Sequence, residues 1–226
     1  MVIRPRFGLI FRKMSHIARN LAKFHTKLQE FRETETYLDI TIECENRSFK
    51  CHRLALAMAS NYFNAMFNGK FRESSAESVV LSEMEASTFE DVLKFMYSGD
   101  VPINSDNVYN LLRASDYFEL PGIEEMCVQF MKEETTTVEN VWNIFTYAHA
   151  TKKNELIEIT SQSIVQNFGI FSRRTRFFEI AFDEMNSIVS QYLSLATRNE
   201  ELLVSTIVQW ILHRQEERLQ YFDKFA

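Results

Sequence analysis

Glycine and proline are scarce in this 226-residue chain, which contains 5 of the former and 3 of the latter. Because these two residues mark most turns and loops, their scarcity excludes long irregular segments and favours a helix-rich architecture. Apolar residues make up 46% of the chain and aromatic residues 13%. That content is enough to build one large core or two smaller ones.

Cysteine is also rare, and no apolar run is long. The three cysteines, Cys44, Cys51 and Cys127, are odd in number, far apart and without a CxxC pair. This pattern argues against a disulfide framework, a zinc site and redox chemistry. No run approaches the roughly 18 apolar residues that a membrane-spanning helix needs. These absences predict a soluble intracellular protein with no membrane partner, no metal and no cofactor.

Acidic residues are missing from the first 29 positions, which hold seven of the 25 Lys and Arg residues. The rest of the chain therefore carries 18 bases against 31 acids, a net charge of −13. Because phosphate recognition needs clustered cations, this acidic body argues against nucleic acid as a partner. Residues 1–14 are assigned as a basic N-terminal extension. That extension is either a targeting presequence or the start of the helix that follows, and both interpretations stay open.

A narrow apolar stripe follows the basic extension. Its members recur at alternating steps of four and three residues, the spacing of a helix that pairs with another helix. We assign them to a dimer interface; the alternative is that the stripe packs on its own domain. The residues of this stripe are Ile17, Leu21, Phe24, Leu28 and Phe31.

The first half of the chain mixes strand and helix patterns. Three strands are predicted at 39–44, 47–51 and 78–84, the first two joined by a tight turn at Glu45-Asn46. Ser87 to Glu90 forms a capping box that opens a helix ending at Gly99. The other helices of this half are predicted at 52–60, 61–67, 106–118 and 121–134.

Everything beyond the polar run at 134–137 has a helical pattern, and no strand-like alternation follows residue 84. Thr136 and Glu139 form a second capping box at the start of this half. The predicted fold class is therefore an α+β domain over 15–134 followed by an all-α domain over 135–226. The predicted helices of the second half cover 138–152, 154–168, 173–185 and 199–222.

Cys51, His52 and Arg53 stand side by side and raise the question of a reactive site. Structural zinc needs four ligands, and no second ligand pair exists in the sequence. A cysteine nucleophile needs a histidine base beside it, but neighbouring side chains on a strand diverge. We therefore predict that His52 and Arg53 stabilise the start of a helix. No nucleotide-binding, metalloprotease, hydrolase or kinase signature occurs, so no catalytic residue is assigned.

The clearest interaction signal is Phe71 among the charged residues Lys70, Arg72 and Glu73. A half-exposed Phe fits a partner's pocket, and a carboxylate two residues further on orients the contact. The alternative is a Phe folded back onto its own core.

Residues 38–130 resemble the BTB/POZ domain, and 135–226 resemble the BACK region that follows it in Kelch-like proteins. The resemblance implies a BTB/POZ fold, a small sheet flanked by a helical cluster, and then an incomplete all-α BACK domain. The motifs that carry it are DIT at 39–41, FKCHRLAL at 49–56, SNYFNAMF at 60–67, FEDVLKFMYSG at 89–99, NVYNLLRASDY at 107–117 and, in the second half, ENVWNIFTYA, IVQNF and EELLVSTIVQWI.

The resemblance also implies a function. Such a protein dimerises through its first helix, with itself or another BTB protein, and recruits an unknown substrate protein to a cullin-3 RING ubiquitin ligase in the cytoplasm or nucleus. The start of the BACK region, about 137–167, extends the cullin surface. Asp39 and Arg53 match charged positions near the dimer interface, where they are either structural or line a peptide pocket. The residues implied at the cullin surface are Met66, Asn68, Phe71, Glu73, Asp116, Tyr117 and Glu119.

The sequence departs from the family in one respect, because neither Kelch repeats nor zinc fingers follow the BACK-like region. Either the sequence is a fragment or short form, or substrate is bound by the BACK region or by the dimer partner. A function from another class stays open as well. It is a BTB scaffold, or a corepressor-type transcriptional regulator, that dimerises without engaging a cullin.

Overall fold

The computed structural model describes residues 6–69, 71–133, 137–195 and 199–225, and the side chains of residues 6–18 and 21 lie outside the described part. The chain divides into two compact units, Met1–Cys127 and Val128–Ala226. None of the helices within these ranges is long and apolar enough to cross a membrane.

The first unit combines helices with a small sheet. Its elements are α1 (Arg6–Glu33), β1 (Ile40–Cys44), β2 (Arg47–Cys51), α2 (Arg53–Ala59), α3 (Asn61–Asn68), a 3₁₀ turn (Arg72–Ser74), β3 (Ser78–Val80), α4 (Ala86–Ser98), α5 (Val108–Tyr117) and α6 (Pro121–Glu133), the last of which runs into the second unit.

The sheet has the strand order β2-β1-β3, with β1 antiparallel to β2 and parallel to β3. The predicted hairpin turn is confirmed, because Glu45 takes a left-handed φ of 51° between the two antiparallel strands. Ile42 pairs with Phe49 on one side and with Val79 on the other. All three side chains are buried, so they form the apolar face of the sheet.

Aromatic rings join this sheet to the helices. Phe49 contacts the edge of Phe89 on α4, with ring centroids 5.2 Å apart. Phe89 lies 5.7 Å from Phe118, which stacks on Phe63 of α3 at 5.3 Å. Phe63, Phe89 and Phe118 are fully buried. The core of the first unit therefore extends without a break from the sheet to the ends of α3 and α5.

The described part of the second unit is helical, as predicted. Its core contains Trp142, Phe145, Phe177 and Trp210, all buried. Its elements are α7 (Val138–Thr151), α8 (Asn154–Gln166), α9 (Phe168–Phe171), a 3₁₀ turn (Thr175–Glu179), α10 (Phe182–Leu193), α11 (Glu200–His213), α12 (Gln215–Arg218), a 3₁₀ turn (Leu219–Tyr221) and α13 (Phe222–Phe225).

Two predictions around the third strand are wrong. The strand ends at Val80 rather than residue 84, although the N–H of Leu81 still donates to the Glu43 carbonyl at 2.8 Å. α4 begins at Ala86, so the proposed capping box at 87–90 lies inside the helix. The reason is a tertiary contact. Glu45, in the hairpin turn, accepts the N–H of Ala86 on its carboxylate at 2.9 Å and so caps the first turn of α4, whose N–H groups have no partner within the helix.

Helix positions in the second unit also differ from the prediction. Residues 175–179 form a 3₁₀ turn where a helix over 173–185 is expected. Trp210 donates its indole N–H to the Ile180 carbonyl at 2.9 Å. This carbonyl therefore bonds to a distant side chain, whereas in a continuous helix it would accept a backbone N–H four residues further on. Thr136 lies outside the described residues, and α7 is capped by Thr137, whose hydroxyl accepts the N–H of Asn140 at 3.2 Å.

Candidate protein-docking site

The Phe71 side chain is 60% exposed at the start of the short turn that follows α3. Its carbonyl accepts the hydroxyl of Ser74 at 2.8 Å and the backbone N–H of Ser74 at 3.2 Å. These bonds close the turn, so Phe71 stands at the entrance of a defined 3₁₀ segment.

Gly69 makes room for the ring of Phe71. A Cβ placed on Gly69 would lie 2.6 Å from Cε2 of that ring and 2.8 Å from the Ala65 carbonyl oxygen. Real Cβ atoms do not approach other atoms so closely, so the ring rests against the end of α3 only because position 69 has no side chain.

Arg53, the first residue of α2, hydrogen-bonds to the backbone of the same turn. Its guanidinium donates to the carbonyls of Glu73 and Ser74, each at 3.2 Å, and also to that of Ala76. The Asp39 carboxylate accepts the backbone N–H of Arg53 at 2.7 Å. Asp39 and Arg53 therefore act together on the backbone, and the guanidinium fixes the segment that carries Phe71 and Glu73.

His52 is buried beside Arg53. Its Nε2 lies 2.9 Å from the Thr36 carbonyl, and its Nδ1 lies 2.9 Å from the Tyr97 hydroxyl. Because a carbonyl only accepts, Nε2 carries the proton of the first bond, and Nδ1 shares the second hydrogen bond with the Tyr97 hydroxyl. This network ties the start of α2 to α4.

The neighbouring thiol is a core group. Burial raises the pKa of Cys51 to about 12, which keeps this thiol protonated at neutral pH. Its Sγ lies 3.5 Å from the Phe49 carbonyl. Within the described ranges, no three His, Cys, Asp or Glu side chains are grouped so as to hold a metal ion.

A pair of tyrosines, Tyr62 on α3 and Tyr117 on α5, forms an aromatic surface near the turn. Their hydroxyls lie 3.1 Å apart and their ring centroids 4.9 Å apart. The pKa of Tyr62 is raised by burial first, then by the hydrogen bond to Tyr117 and by the carboxylate of Glu73. Tyr62 is absent from the sequence-based site, because its contact with Tyr117 spans 55 positions.

The last turn of α5 and the segment after it each present one carboxylate. Glu119 has a left-handed φ of 54°, and the N–H of Leu120 donates back to the Ser115 carbonyl at 2.8 Å, a helix-ending pattern. Asp116 and Glu119 are exposed here. On α3, Met66 is half-buried, and Asn68 is exposed and hydrogen-bonded to the Asn64 side chain. The candidate docking residues are therefore Tyr62, Met66, Phe71, Glu73 and Tyr117.

The predicted dimer stripe on α1 is only partly described, because the side chains of Ile17 and Leu21 lie outside the described residues. Phe24 is 54% exposed, whereas Leu28 and Phe31 are half-buried. His25 donates from Nδ1 to the Tyr97 carbonyl at 2.9 Å and so ties α1 to α4. The end of the stripe near Phe31 therefore packs on its own unit, while Phe24 faces outward.

Family comparisons agree with this architecture. Residues 28–135 match the BTB/POZ domain, and residues 141–225 match the family described as BTB And C-terminal Kelch. The chain is therefore a BTB–BACK protein, and the predicted fold of a BTB/POZ domain followed by an all-α BACK region is confirmed.

The similarity to individual proteins extends over both units. The chain is 32% identical over 197 residues to Kelch-like protein 21 of Danio rerio, covering 87% of this chain and 32% of that protein. It is 28% identical over 201 residues to Kelch-like protein 7 of Rattus norvegicus, covering 89% and 34%. The chain thus spans about a third of the length of these relatives. A solved BTB domain of zebrafish PATZ1 matches 52% of this chain with a TM-score of 0.46 and 20% identity, over 95% of that structure.

Proposed function

We propose that this protein is a dimeric substrate adaptor that recruits a target protein to a cullin-3 RING ubiquitin ligase and performs no chemistry itself. Bridging of this kind raises the effective concentration of the target near the ligase, and two copies add avidity. The observation that carries the proposal is Phe71, a large apolar side chain held exposed on a closed and braced turn.

The surroundings of Phe71 support its role as an anchor. Large apolar and aromatic side chains that fill a partner's pocket dominate many interfaces. A side chain whose backbone is already fixed loses less conformational entropy when the partner binds. Arg53 supplies that fixation at the neighbouring carbonyls. The Tyr62–Tyr117 pair and the Glu73 carboxylate add an aromatic and a charged contact to the same surface.

Membership in the BTB–BACK group supports the remaining parts of the proposal. The partner in the dimer is a second copy or another BTB protein, and α1 supplies the contact. The start of the BACK region, about 137–167, extends the cullin surface, and substrate is bound by the BACK region or by the dimer partner. The adaptor acts in the cytoplasm or the nucleus.

The test is the affinity of the full chain for the N-terminal region of cullin-3, measured by calorimetry. Phe71→Ala is expected to weaken binding by about tenfold or more, since truncation of a central aromatic anchor typically costs over 1.4 kcal/mol. The matched control is Phe222→Ala, which removes a ring of similar exposure, 54%, from the other unit. Its affinity should equal that of the unmodified protein.

The outcomes separate the two candidate functions. A folded, dimeric wild-type protein that does not bind cullin-3 contradicts the adaptor function and leaves the scaffold or corepressor-type regulator. Binding that survives Phe71→Ala keeps the adaptor function but removes Phe71 from the cullin surface.

A further inference from the structure

The second unit contains a pocket of about 320 Å³ with an aromatic floor and an arginine rim. Trp142 forms the floor together with Phe171 and Phe177, its ring centroid lying 6.0 Å from each of theirs. All three side chains are buried. The floor is therefore part of the core and does not need a ligand to form.

Three arginines, Arg173, Arg174 and Arg176, lie between the two buried phenylalanines. The N–H of Arg174 donates to the Phe171 carbonyl at 3.0 Å, and the N–H of Phe177 donates to the Arg174 carbonyl at 2.9 Å. Both ends of the segment are thus anchored in the core, and the three exposed guanidinium groups line the rim.

The residues that line this pocket carry more positive than negative charge. Among the residues described around it, Glu139 is the carboxylate that contacts them, 3.0 Å from Arg176 and 3.9 Å from Arg174. This leaves an excess of two positive charges, although residues 128–226 carry only 10 bases against 13 acids overall. A positive pocket on an acidic unit attracts a short anionic segment and repels a long polyanion outside the pocket.

We propose that this pocket binds a short acidic peptide segment of a partner protein. Carboxylates of the peptide pair with Arg173 and Arg174, whose planar guanidinium groups match a carboxylate in two-point contact. In the free protein, Glu139 contacts Arg176 and Arg174. Its ion pairs are about half-exposed, so they contribute little and exchange readily with the carboxylates of a ligand.

The pocket volume agrees with such a ligand, because cavities that hold small ligands span roughly 300–1,000 Å³. The inference does not rest on the proposed function. Glu139 and Trp142 nevertheless fall within 137–167, the segment assigned above to the cullin surface, so the test measures cullin binding separately.

The experiment measures binding of a fluorescein-labelled, glutamate-rich peptide to the full chain by fluorescence anisotropy. Arg174→Ala should weaken binding by roughly three- to tenfold, and Glu139→Gln should strengthen it, since it frees two guanidinium groups. Arg214→Ala, which removes an exposed arginine elsewhere in the unit, is the control and should leave the affinity unchanged. A peptide with glutamine in place of glutamate should not bind.

Four results would overturn the proposal. They are equal affinities for Arg174→Ala and Arg214→Ala, equal binding of the glutamine peptide, tighter binding of a single-stranded oligonucleotide of the same charge, and loss of cullin-3 binding together with peptide binding in Arg174→Ala. Circular dichroism verifies folding of each variant, and Arg173→Ala replaces Arg174→Ala if the latter unfolds.

Discussion

Two arginines, one in each unit, stabilise irregular backbone by donating to carbonyl groups. Arg53 contacts the carbonyls of Glu73 and Ser74. Arg218 is buried and donates to the carbonyls of Trp210 at 2.6 Å and Ile180 at 3.0 Å. Burial lowers the pKa of Arg218, yet the planar guanidinium with its five N–H donors satisfies several acceptors at once. The structural role of Arg53 follows in outline from its position at a helix start. That of Arg218 does not, because its Ile180 contact spans 38 positions.

Buried thiols make the stability of the first unit sensitive to alkaline pH. Burial raises the pKa of both Cys51 and Cys127 to about 12, above the ordinary value of 9.0. Between these two values the unfolded chain loses protons that the folded chain keeps, so the free energy of unfolding falls as pH rises. We expect a fall of at most about 1.4 kcal/mol per pH unit for each thiol above about pH 9, and no contribution to the slope below it.

Urea unfolding followed by circular dichroism, at about pH 8, 9.5 and 10.5, measures this dependence. Cys127→Ala removes one of the two thiols, so its stability should fall less steeply over the same interval. Equal slopes in the variant and the unmodified protein would show that Cys127 keeps an ordinary pKa.

At the scale of elements, glycine marks the end of α4 for a backbone reason. Gly99 has a φ of 78°, and its N–H donates to the Phe95 carbonyl at 2.7 Å. The predicted helix end at Gly99 is therefore confirmed, because left-handed backbone at this point favours glycine irrespective of tertiary contacts. The start of the same helix could not be predicted locally, since its cap comes from Glu45, 41 positions away.

Substitution of two glycines by alanine separates backbone strain from packing. A Cβ meets nothing within 4 Å at either Gly99 or Gly169, but only Gly99 has a positive φ. Gly99→Ala should lower the free energy of unfolding by about 1 kcal/mol, whereas Gly169→Ala, in α9, should leave it unchanged or raise it by up to about 1 kcal/mol. Thermal unfolding of both variants measures the difference, and a Gly99→Ala protein as stable as wild type would contradict it.

At the scale of the whole molecule, the described part of the α1 stripe differs in exposure along its length. Phe31 contacts the edge of Tyr37 at 5.2 Å, and Lys27 lies over the Phe31 ring at 5.0 Å. This end is therefore engaged within its own unit. Phe24 is the described member of the stripe that remains mainly exposed, so we expect it to carry the subunit contact.

Phe24→Asp tests that contact, because it buries a charge in the proposed interface without disturbing a buried side chain. The expected result is a halved molar mass by size-exclusion chromatography with light scattering, together with an unchanged circular dichroism spectrum. Thr26→Asp adds the same charge to an exposed position of the same helix outside the stripe and should remain dimeric. A Phe24→Asp protein with the mass of a dimer would exclude Phe24 from the interface.

From the residues alone, the site was accessible only where its members are neighbours, and the family resemblance added Met66 and Tyr117. Phe71 and Glu73 are two positions apart, so their pattern is visible in the chain. Tyr62 pairs with Tyr117 only once the start of α3 meets the end of α5, which places the two hydroxyls 3.1 Å apart. The arginine rim of the second unit could not be predicted from the sequence either, because a helix was expected where the 3₁₀ turn at 175–179 forms.

By itself the sequence determined the division into an α+β half and a helical half, the hairpin turn at Glu45 and the end of α4 at Gly99. These features depend on periodicity and turn chemistry among residues a few positions apart. The tertiary structure alone decided the start of α4, the irregular backbone around Ile180 and the pairing of Tyr62 with Tyr117. Each of these arises where a donor meets an acceptor from a distant segment, and such a bond forms only once the core has brought the two segments together.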